Sequence, residues 1–260
     1  MLGAAAVEAA PTRIASLNLC TDSLLFELLD DTRIVSVTAL SRDANLSHFH
    51  ARAASRPINH GAVEEIVALA PDLVVTGDNT NALATHLLSR LGIKILSFAS
   101  ANRLADYRLN LRRLAHELNE NARAEQLLAQ LDTALGAPPQ PLLRTLVYQP
   151  NGYTPGTDSL MHEILGQAGL RSVAADLGFE YGGYVSLEGL LLTTPDMIVF
   201  SERQAQRPSL AETQLDQPAL RKLFARQSPP TRRTAVPENL WTCAGAFNRQ
   251  AIIMLREARP

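Results

Sequence analysis

Two periods of apolar residues alternate along this chain. Short runs rich in branched side chains, such as Arg13-Ile14-Ala15-Ser16-Leu17 and Leu73-Val74-Val75, are separated by longer stretches whose apolar positions recur every three or four residues. The runs predict strands near 13–17, 34–38, 73–76 and 94–98, then near 144–149, 197–200 and 234–236. The longer stretches predict helices near 22–30, 62–70 and 81–91, then near 158–168, 186–193, 217–225 and 246–257. Between these halves, Leu104, Tyr107, Leu111, Leu114 and Leu118, then Leu127, Leu128, Leu131 and Leu135, mark a helical stretch over about 103–135. Asn119-Glu120-Asn121 is a candidate break in it, and Ala137-Pro138-Pro139-Gln140-Pro141 ends it. Alternating strands and helices imply an α/β architecture, with parallel sheets covered by helices on both faces.

The pattern occurs twice. Thr21-Asp22-Ser23-Leu24-Leu25-Phe26-Glu27-Leu28-Leu29 is echoed by Thr157-Asp158-Ser159-Leu160-Met161-His162-Glu163-Ile164-Leu165, each after a β-like run. Farther on, Glu64-Glu65-Ile66-Val67-Ala68-Leu69-Ala70-Pro71-Asp72 is echoed by Glu188-Gly189-Leu190-Leu191-Leu192-Thr193-Thr194-Pro195-Asp196, with the same Glu-to-Pro-Asp spacing. Two motifs repeated in the same order imply two similar lobes, and two copies are too few for a solenoid. Thr or Asp of the Thr-Asp-Ser-Leu phrase is the expected helix cap.

Composition narrows the classes. The 260 residues suffice for two lobes, and a net charge of −2 leaves no electrostatic footprint for nucleic acid. No run approaches the ~20 apolar residues of a membrane span. Residues 1–12, rich in alanine with A-x-A-like steps before Pro11, read as the remnant of an export signal or a flexible start. Two cysteines, Cys20 and Cys243, are too few for a disulfide scaffold.

"RIASLNLCTDSLLFELL", "EEIVALAPDLVV", the central helix, "YQPNGYTPGTDSLMHEIL", "VSLEGLLLTTPDMIVF" and "LWTCAGAFNRQAIIMLREA" together resemble the helical-backbone periplasmic binding proteins, which serve ABC importers of iron–siderophore complexes, haem and cobalamin. The resemblance covers nearly the whole chain from Arg13. It implies two similar lobes joined by one long helix: an N-terminal lobe over 13–101, a connector over 102–136 and a C-terminal lobe over 137–260. It further implies an exported, periplasmic, monomeric carrier with no enzymatic activity. Its cargo is a cobalt or iron chelate, and its partner is the membrane permease of an ABC importer. The family docks on its permease through an acidic side chain on each lobe. Glu64 and Glu188 occupy the matching positions, with Glu65 as the alternative in the first lobe.

Ligands of such folds sit between the lobes, over the carboxyl ends of the strands. The first-lobe loops there offer Asn18, Cys20 and Thr21; Arg42, His48 and Phe49; and Asn79, with His60 nearby. The second-lobe loops offer Tyr153, Tyr181 and Tyr184, then Trp241 and Cys243, followed by Phe247 and Arg249. Aromatic residues make up only 5% of the chain, so three of its five tyrosines and its one tryptophan in these loops form a biased placement. Their rings suit a macrocycle or aromatic chelate. Arg42 and Arg249 suit its carboxylates. His48 and His60 suit its metal.

Three other readings stay open on the sequence alone. No Cys/His/Asp set has a recognised metal spacing, so no resident metal or cofactor is expected; a bare-metal carrier would need such a set to converge in space. Cys20, before a predicted helix, is the best nucleophile for an enzyme, yet no catalytic motif accompanies it. A cytosolic relative using the same fold for sensing or chelation is the third. Cys20 and Cys243 themselves are open to three fates: a disulfide, free thiols, or a soft-metal site.

Overall fold

In the computed structural model, which describes residues 10–78, 80, 82–202, 218, 222 and 230–260, each half of the repeat builds its own parallel sheet. The first half carries β1 (Ile14–Ser16), α1 (Leu19–Leu28), β2 (Ile34–Thr38), α2 (His50–Ala53), β3 (Ile58–Asn59), α3 (Val63–Ala68), β4 (Leu73–Gly77), α4 (Ala82–Arg90) and β5 (Lys94–Phe98). Its sheet order is β3-β2-β1-β4-β5, with every pair parallel. Helices α5 (Leu104–Leu118) and α6 (Asn121–Leu135) follow. The second half carries β6 (Leu143–Val147), β7 (Tyr153–Pro155), α7 (Leu160–Gln167), β8 (Leu170–Ser172), β9 (Gly182–Tyr184), α8 (Leu187–Thr193), β10 (Met197–Glu202), β11 (Arg232–Pro237) and α9 (Asn248–Glu257). Its parallel sheet runs β11-β10-β6-β8, and β7 pairs with β9 in a separate antiparallel ribbon.

The chain divides into two compact units. One comprises residues up to Asp43, Phe49–Ser100 and Asp106–Leu128; the other comprises Ala44–His48, Ala101–Ala105 and Ala129–Pro260. In each sheet the first strand lies inside, between the strand that follows it and a later one: β1 between β2 and β4, β6 between β8 and β10. The chain therefore reverses its direction of travel across each sheet beside the first strand. That is where open α/β sheets leave a crevice at their carboxyl edge.

The repeated Arg…Pro-Asp phrase has one physical meaning in both units. Asp72 accepts from the backbone N–H of Arg13, and its own N–H donates to the Arg13 carbonyl at 2.9 Å. The Arg13 guanidinium caps the end of α3, donating to the carbonyls of Leu69 (2.6 Å) and Ala70 (3.0 Å). Asp196 and Arg144 repeat the device. The Arg144 N–H donates to Asp196 at 2.8 Å, the Asp196 N–H donates to the Arg144 carbonyl at 2.9 Å, and the guanidinium reaches the Thr193 and Thr194 carbonyls beyond α8. Both helices end in a left-handed residue, Ala70 (φ 44°) and Thr194 (φ 39°), so that proline can follow. Each clamp fixes a helix end against a strand start and so sets the register of β4 on β1 and of β10 on β6.

The helix α1 starts three residues before the expected position. Its cap is Asn18, whose Oδ1 accepts from the N–H groups of Cys20 (2.9 Å) and Thr21 (3.4 Å). That leaves Thr21 and Asp22 inside the first turn and buried. Asp22 turns inward, its Oδ2 accepting from Thr38 N–H (3.1 Å), Thr38 Oγ1 (2.5 Å) and Ser41 Oγ (2.6 Å). In the second unit the cap is Ser159, one residue past Asp158, so the two copies of the phrase do not start their helices alike. The far end of α1 has no basic residue of its own. Arg52 donates to the Phe26 and Leu29 carbonyls there, and Arg123 of α6 donates to that of Glu27.

The linking stretch is helical as expected but consists of two helices rather than one rod. Asn119 adopts φ 59°, and the Glu120 N–H bonds back to the Ala115 carbonyl, a left-handed helix stop. Leu104, Tyr107, Leu111, Leu114 and Leu118 of α5, and Leu127, Leu128, Leu131 and Leu135 of α6, are buried at the predicted spacing. Strands β3, β8 and the β7–β9 ribbon were not legible, because two or three residues are too few to show a period. The helix expected over 217–225 and the first nine residues lie outside the described residues, apart from 218 and 222.

The second unit's core gathers Leu146, Tyr148, Val173, Val185, Leu190 and Ile198. Trp241, 1% exposed, is the largest fully buried side chain in the chain. Two stability predictions follow from these observations. Thr194 is an exposed β-branched residue at positive φ, where such side chains are strained; Thr194→Gly is expected to raise the thermal midpoint, by a stability gain on the order of 0.5–1 kcal/mol. Trp241→Ala is expected to cost about 3–5 kcal/mol in a denaturant titration, with Trp241→Phe far milder; a midpoint unchanged in the alanine variant would place the indole outside the core.

Candidate functional site

At the carboxyl edge of the first sheet, between β1 and β4, Asn18 fills the crevice. A Cβ at Gly77 would lie 2.9 Å from its Nδ2, so glycine there makes room for the Asn18 amide. Thr21 is buried, sharing a 2.7 Å hydrogen bond with Ser16 Oγ, so its hydroxyl belongs to the interior. Cys20 is half-buried. Neither Cys20 nor Cys243 is a free thiol, which removes both the free-thiol reading and Cys20 as a nucleophile.

Beyond β2, Arg42 is exposed, but its guanidinium folds back to donate to the carbonyls of Ala53 (3.3 Å) and Arg56 (2.7 Å). Phe49 is half-buried, its ring 5.6 Å from that of Phe26, with the Arg52 guanidinium 6.0 Å from its centroid. His48 belongs to the second unit, where its ring stacks on Phe247 at 4.6 Å with 11° between planes. In the same unit Asn239 donates to the Ala44 carbonyl at 2.8 Å. Asn79 lies outside the described residues.

His60 is exposed and engaged with its neighbour: Glu65 accepts from the His60 N–H at 2.8 Å, and its other oxygen lies 3.1 Å from Nδ1. These bonds, the backbone one first, hold the Glu65 carboxyl below the usual range. Glu65 is thereby committed, while Glu64 beside it in the first turn of α3 is exposed. Glu188 is its counterpart in the first turn of α8, exposed, its pKa lowered by its own backbone N–H and then by Ser186. Both carboxylates thus sit where a helix start favours negative charge.

In the second unit the three tyrosines converge. Past the carboxyl end of β6 the chain turns at Asn151 (φ 62°) and Gly152 (φ 81°) into β7. Tyr153 on β7 pairs with Tyr184 on β9, and their rings meet edge-on at 5.6 Å and 65°. Tyr153 Oη donates to the Tyr181 carbonyl at 3.5 Å. Gly182, at φ 143°, lets the ribbon pass, since a Cβ there would come within 2.5 Å of the Tyr153 hydroxyl. Tyr181 and Tyr184 are 74% and 72% exposed, so the ribbon and the residue that leads into it present two large aromatic side chains.

Trp241, Cys243 and Phe247 are buried and Arg249 is half-buried, unlike the open loop the sequence implied. The cause is Asn248, a residue that sequence reasoning missed. Its Oδ1 accepts from Gly245 N–H at 2.7 Å, and its Nδ2 donates to the carbonyls of Leu240 (2.8 Å) and Cys243 (3.0 Å). Folded around that amide, the 240–248 segment packs as interior; the glycine three residues before an asparagine was the one available signal.

Of the buried titratable groups, Asp22 departs most from ordinary behaviour. Complete burial raises its pKa from 3.8 to about 6, against the lowering influence of the Ser16, Ser41 and Thr38 donors. His162, in the first turn of α7, is pushed down by burial, and its Nδ1 is buried with no hydrogen-bond partner. Among the described residues, no three His, Cys, Asp or Glu side chains are placed to hold a metal ion, and no helix is long and apolar enough to cross a membrane.

Comparison with known proteins agrees with this architecture. The chain resembles in fold the periplasmic haem-binding protein HutB of Vibrio cholerae (TM-score 0.77, 17% identity, 95% of this chain and 98% of that one). It also resembles the periplasmic haem-binding protein RhuT of Roseiflexus sp. RS-1 (TM-score 0.73, 20% identity, 95% and 98%). A third likeness is to the periplasmic vitamin B12-binding protein BtuF of Vibrio cholerae (TM-score 0.69, 18% identity, 96% of each). No curated protein sequence matches the chain. The family model described as periplasmic binding protein matches residues 14–228, and with most of its length so matched the chain belongs to the periplasmic binding protein family.

Proposed function

We propose that this protein is an exported carrier that captures a metal chelate, of the haem, cobalamin or ferric-siderophore kind, and delivers it to the permease of an ABC importer. The observation that carries the reading is the β7–β9 ribbon. In an aromatic-poor chain, a separate two-stranded element holds Tyr181 and Tyr184 exposed and braces the second against Tyr153. Monomeric proteins seldom leave large aromatic faces in water without a use for them. Flat rings with polar edges suit a macrocycle or aromatic chelate, which they grip by area while their hydroxyls meet its polar rim. The structurally similar haem-binding and vitamin B12-binding proteins support the same class of cargo.

Ligand residues then fall into two groups. Tyr181, Tyr184 and Tyr153 supply contact area. Asn18, Arg42, His48, Phe49, His60 and Arg249 supply shape or polar contacts at the loop edges. Trp241, Cys243, Phe247 and Thr21 act behind them, as the packed support that holds the loops in place. Glu64 and Glu188 are the docking acids, and the engagement of Glu65 with His60 favours Glu64 over it.

Absorbance titrations with haem, cyanocobalamin and a panel of ferric siderophores test the cargo. One of them should bind at micromolar affinity or tighter. Tyr181→Ala with Tyr184→Ala should then weaken it about tenfold or more, with the melting curve unchanged, since about 1.4 kcal/mol is one decade. No binding by any chelate, or unaltered affinity in the double variant, would sink the reading. Docking is tested in cells carrying the cognate permease. Glu64→Lys with Glu188→Lys should abolish uptake and leave ligand affinity as it was; normal uptake would remove both residues from the interface.

A further inference from the structure

We propose that Asp22 is the positioning residue of the ligand-facing loop after β2, and that its hold on this loop loosens when its carboxyl ionises. The geometry is specific. One oxygen of a fully buried carboxyl gathers the Thr38 N–H, the Thr38 hydroxyl and the Ser41 hydroxyl, tying the first turn of α1 to the last residue of β2 and to the short 3-10 turn at Ala39–Arg42. That turn runs directly into Asp43–Phe49, which carries His48 and Phe49. The other oxygen, Oδ1, is buried with no hydrogen-bond partner. The donors that serve a carboxylate there, Thr38, Ser41 and Ser16, are all neutral.

Among the described residues, no cationic side chain offsets its charge. The strands packed on α1 at this point, β1, β2 and β4, contain no titratable side chain. On α1 itself the other carboxyl is Glu27, which accepts from Tyr107 Oη at 2.8 Å, and the remaining titratable side chain, Cys20, is not a free thiol. On the 3-10 turn the charged side chain is Arg42, whose guanidinium bonds the carbonyls of Ala53 and Arg56. A buried, uncompensated carboxylate is costly, and the raised pKa expresses that cost. The sign follows from linkage. With the closed-state pKa above that of an opened, solvated carboxyl, the latch is fully stabilised below about pH 4. It loses that stabilisation as pH rises towards 6 and beyond. The element that yields is the turn, which has only four residues and no side-chain cap.

This role rests on the reading of the loop as ligand-facing, but its test needs no ligand. Amide hydrogen exchange of the full chain is measured between pH 5 and 7.5, with rates divided by their intrinsic values. Protection of the Thr38 and Asp43 amides is expected to fall by about tenfold across that range in the wild type. It should be nearly flat in Asp22→Asn, which keeps an acceptor but cannot ionise. A merely structural residue would shift protection equally at every pH. Parallel profiles for the two proteins, or protection that rises with pH, would overturn the proposal. Should the asparagine variant fail to fold, the carbon-13 shift of the wild-type Asp22 carboxyl decides: a midpoint near 6 is expected, and one at or below 4 overturns it. Because these readouts use ligand-free protein, they stand or fall apart from the chelate titrations.

Discussion

The attachment of a helix end to a strand start, made by one arginine and one aspartate, is the contact on which both units depend. Arg13 with Asp72, and Arg144 with Asp196, each join four things at once: the first strand, the end of a helix, the proline that stops it and the strand that follows. These groups would otherwise be orphan carbonyls and an unsatisfied strand N–H, which fold poorly when buried. Satisfying them through the aspartate carboxylate on one side and the guanidinium on the other also fixes the strand register, since a slip of one residue would send every apolar side chain of β4 or β10 to the wrong face. The clamps sit at the amino ends of β1 and β4, and of β6 and β10, and so anchor strands whose opposite, carboxyl ends border the crevice.

Much of the fold was legible because it rests on repetition and period. The Glu…Pro-Asp phrase, the branched runs and the leucine spacing of α5 and α6 all survive as single-chain signals. What escaped reading was decided by contacts with no period. Asp22 follows a threonine at an apparent helix start and so reads as a cap; Asn18, four residues earlier, takes the cap and sends Asp22 inward to Thr38 and Ser41. Trp241 reads as a cleft residue because it lies in a loop. It is interior because Asn248, seven residues on, folds that loop around its amide. The sequence groups the three tyrosines in neighbouring loops, but the ribbon beside them is two three-residue strands. Its pairing depends on Gly182 and the turn at Asn151-Gly152 rather than on any propensity of its own.

The candidate site accordingly divides into parts made rigid by internal hydrogen bonding and parts left free. Asn18, Thr21 and Asn248 spend their polar atoms on the backbone around them, and Arg42 spends its charge on two carbonyls. Tyr181 and Tyr184 spend little, and their ring faces remain available. Such a division favours a receptor whose shape is set before the ligand arrives, so that less ordering is charged against affinity.

The end of α1 also has a consequence for synthesis. Its last carbonyls are met by Arg52 and by Arg123, and Arg33 just beyond it is held by Glu120 and the Leu118 carbonyl. The first compact unit therefore extends to Leu128 and not to the end of β5. A chain growing from its N-terminus on the ribosome lacks these partners until α5 and the start of α6 have emerged, roughly a hundred residues after α1 itself. Until then the unit's earliest helix has its last carbonyls unmet, so its completion waits on sequence far downstream.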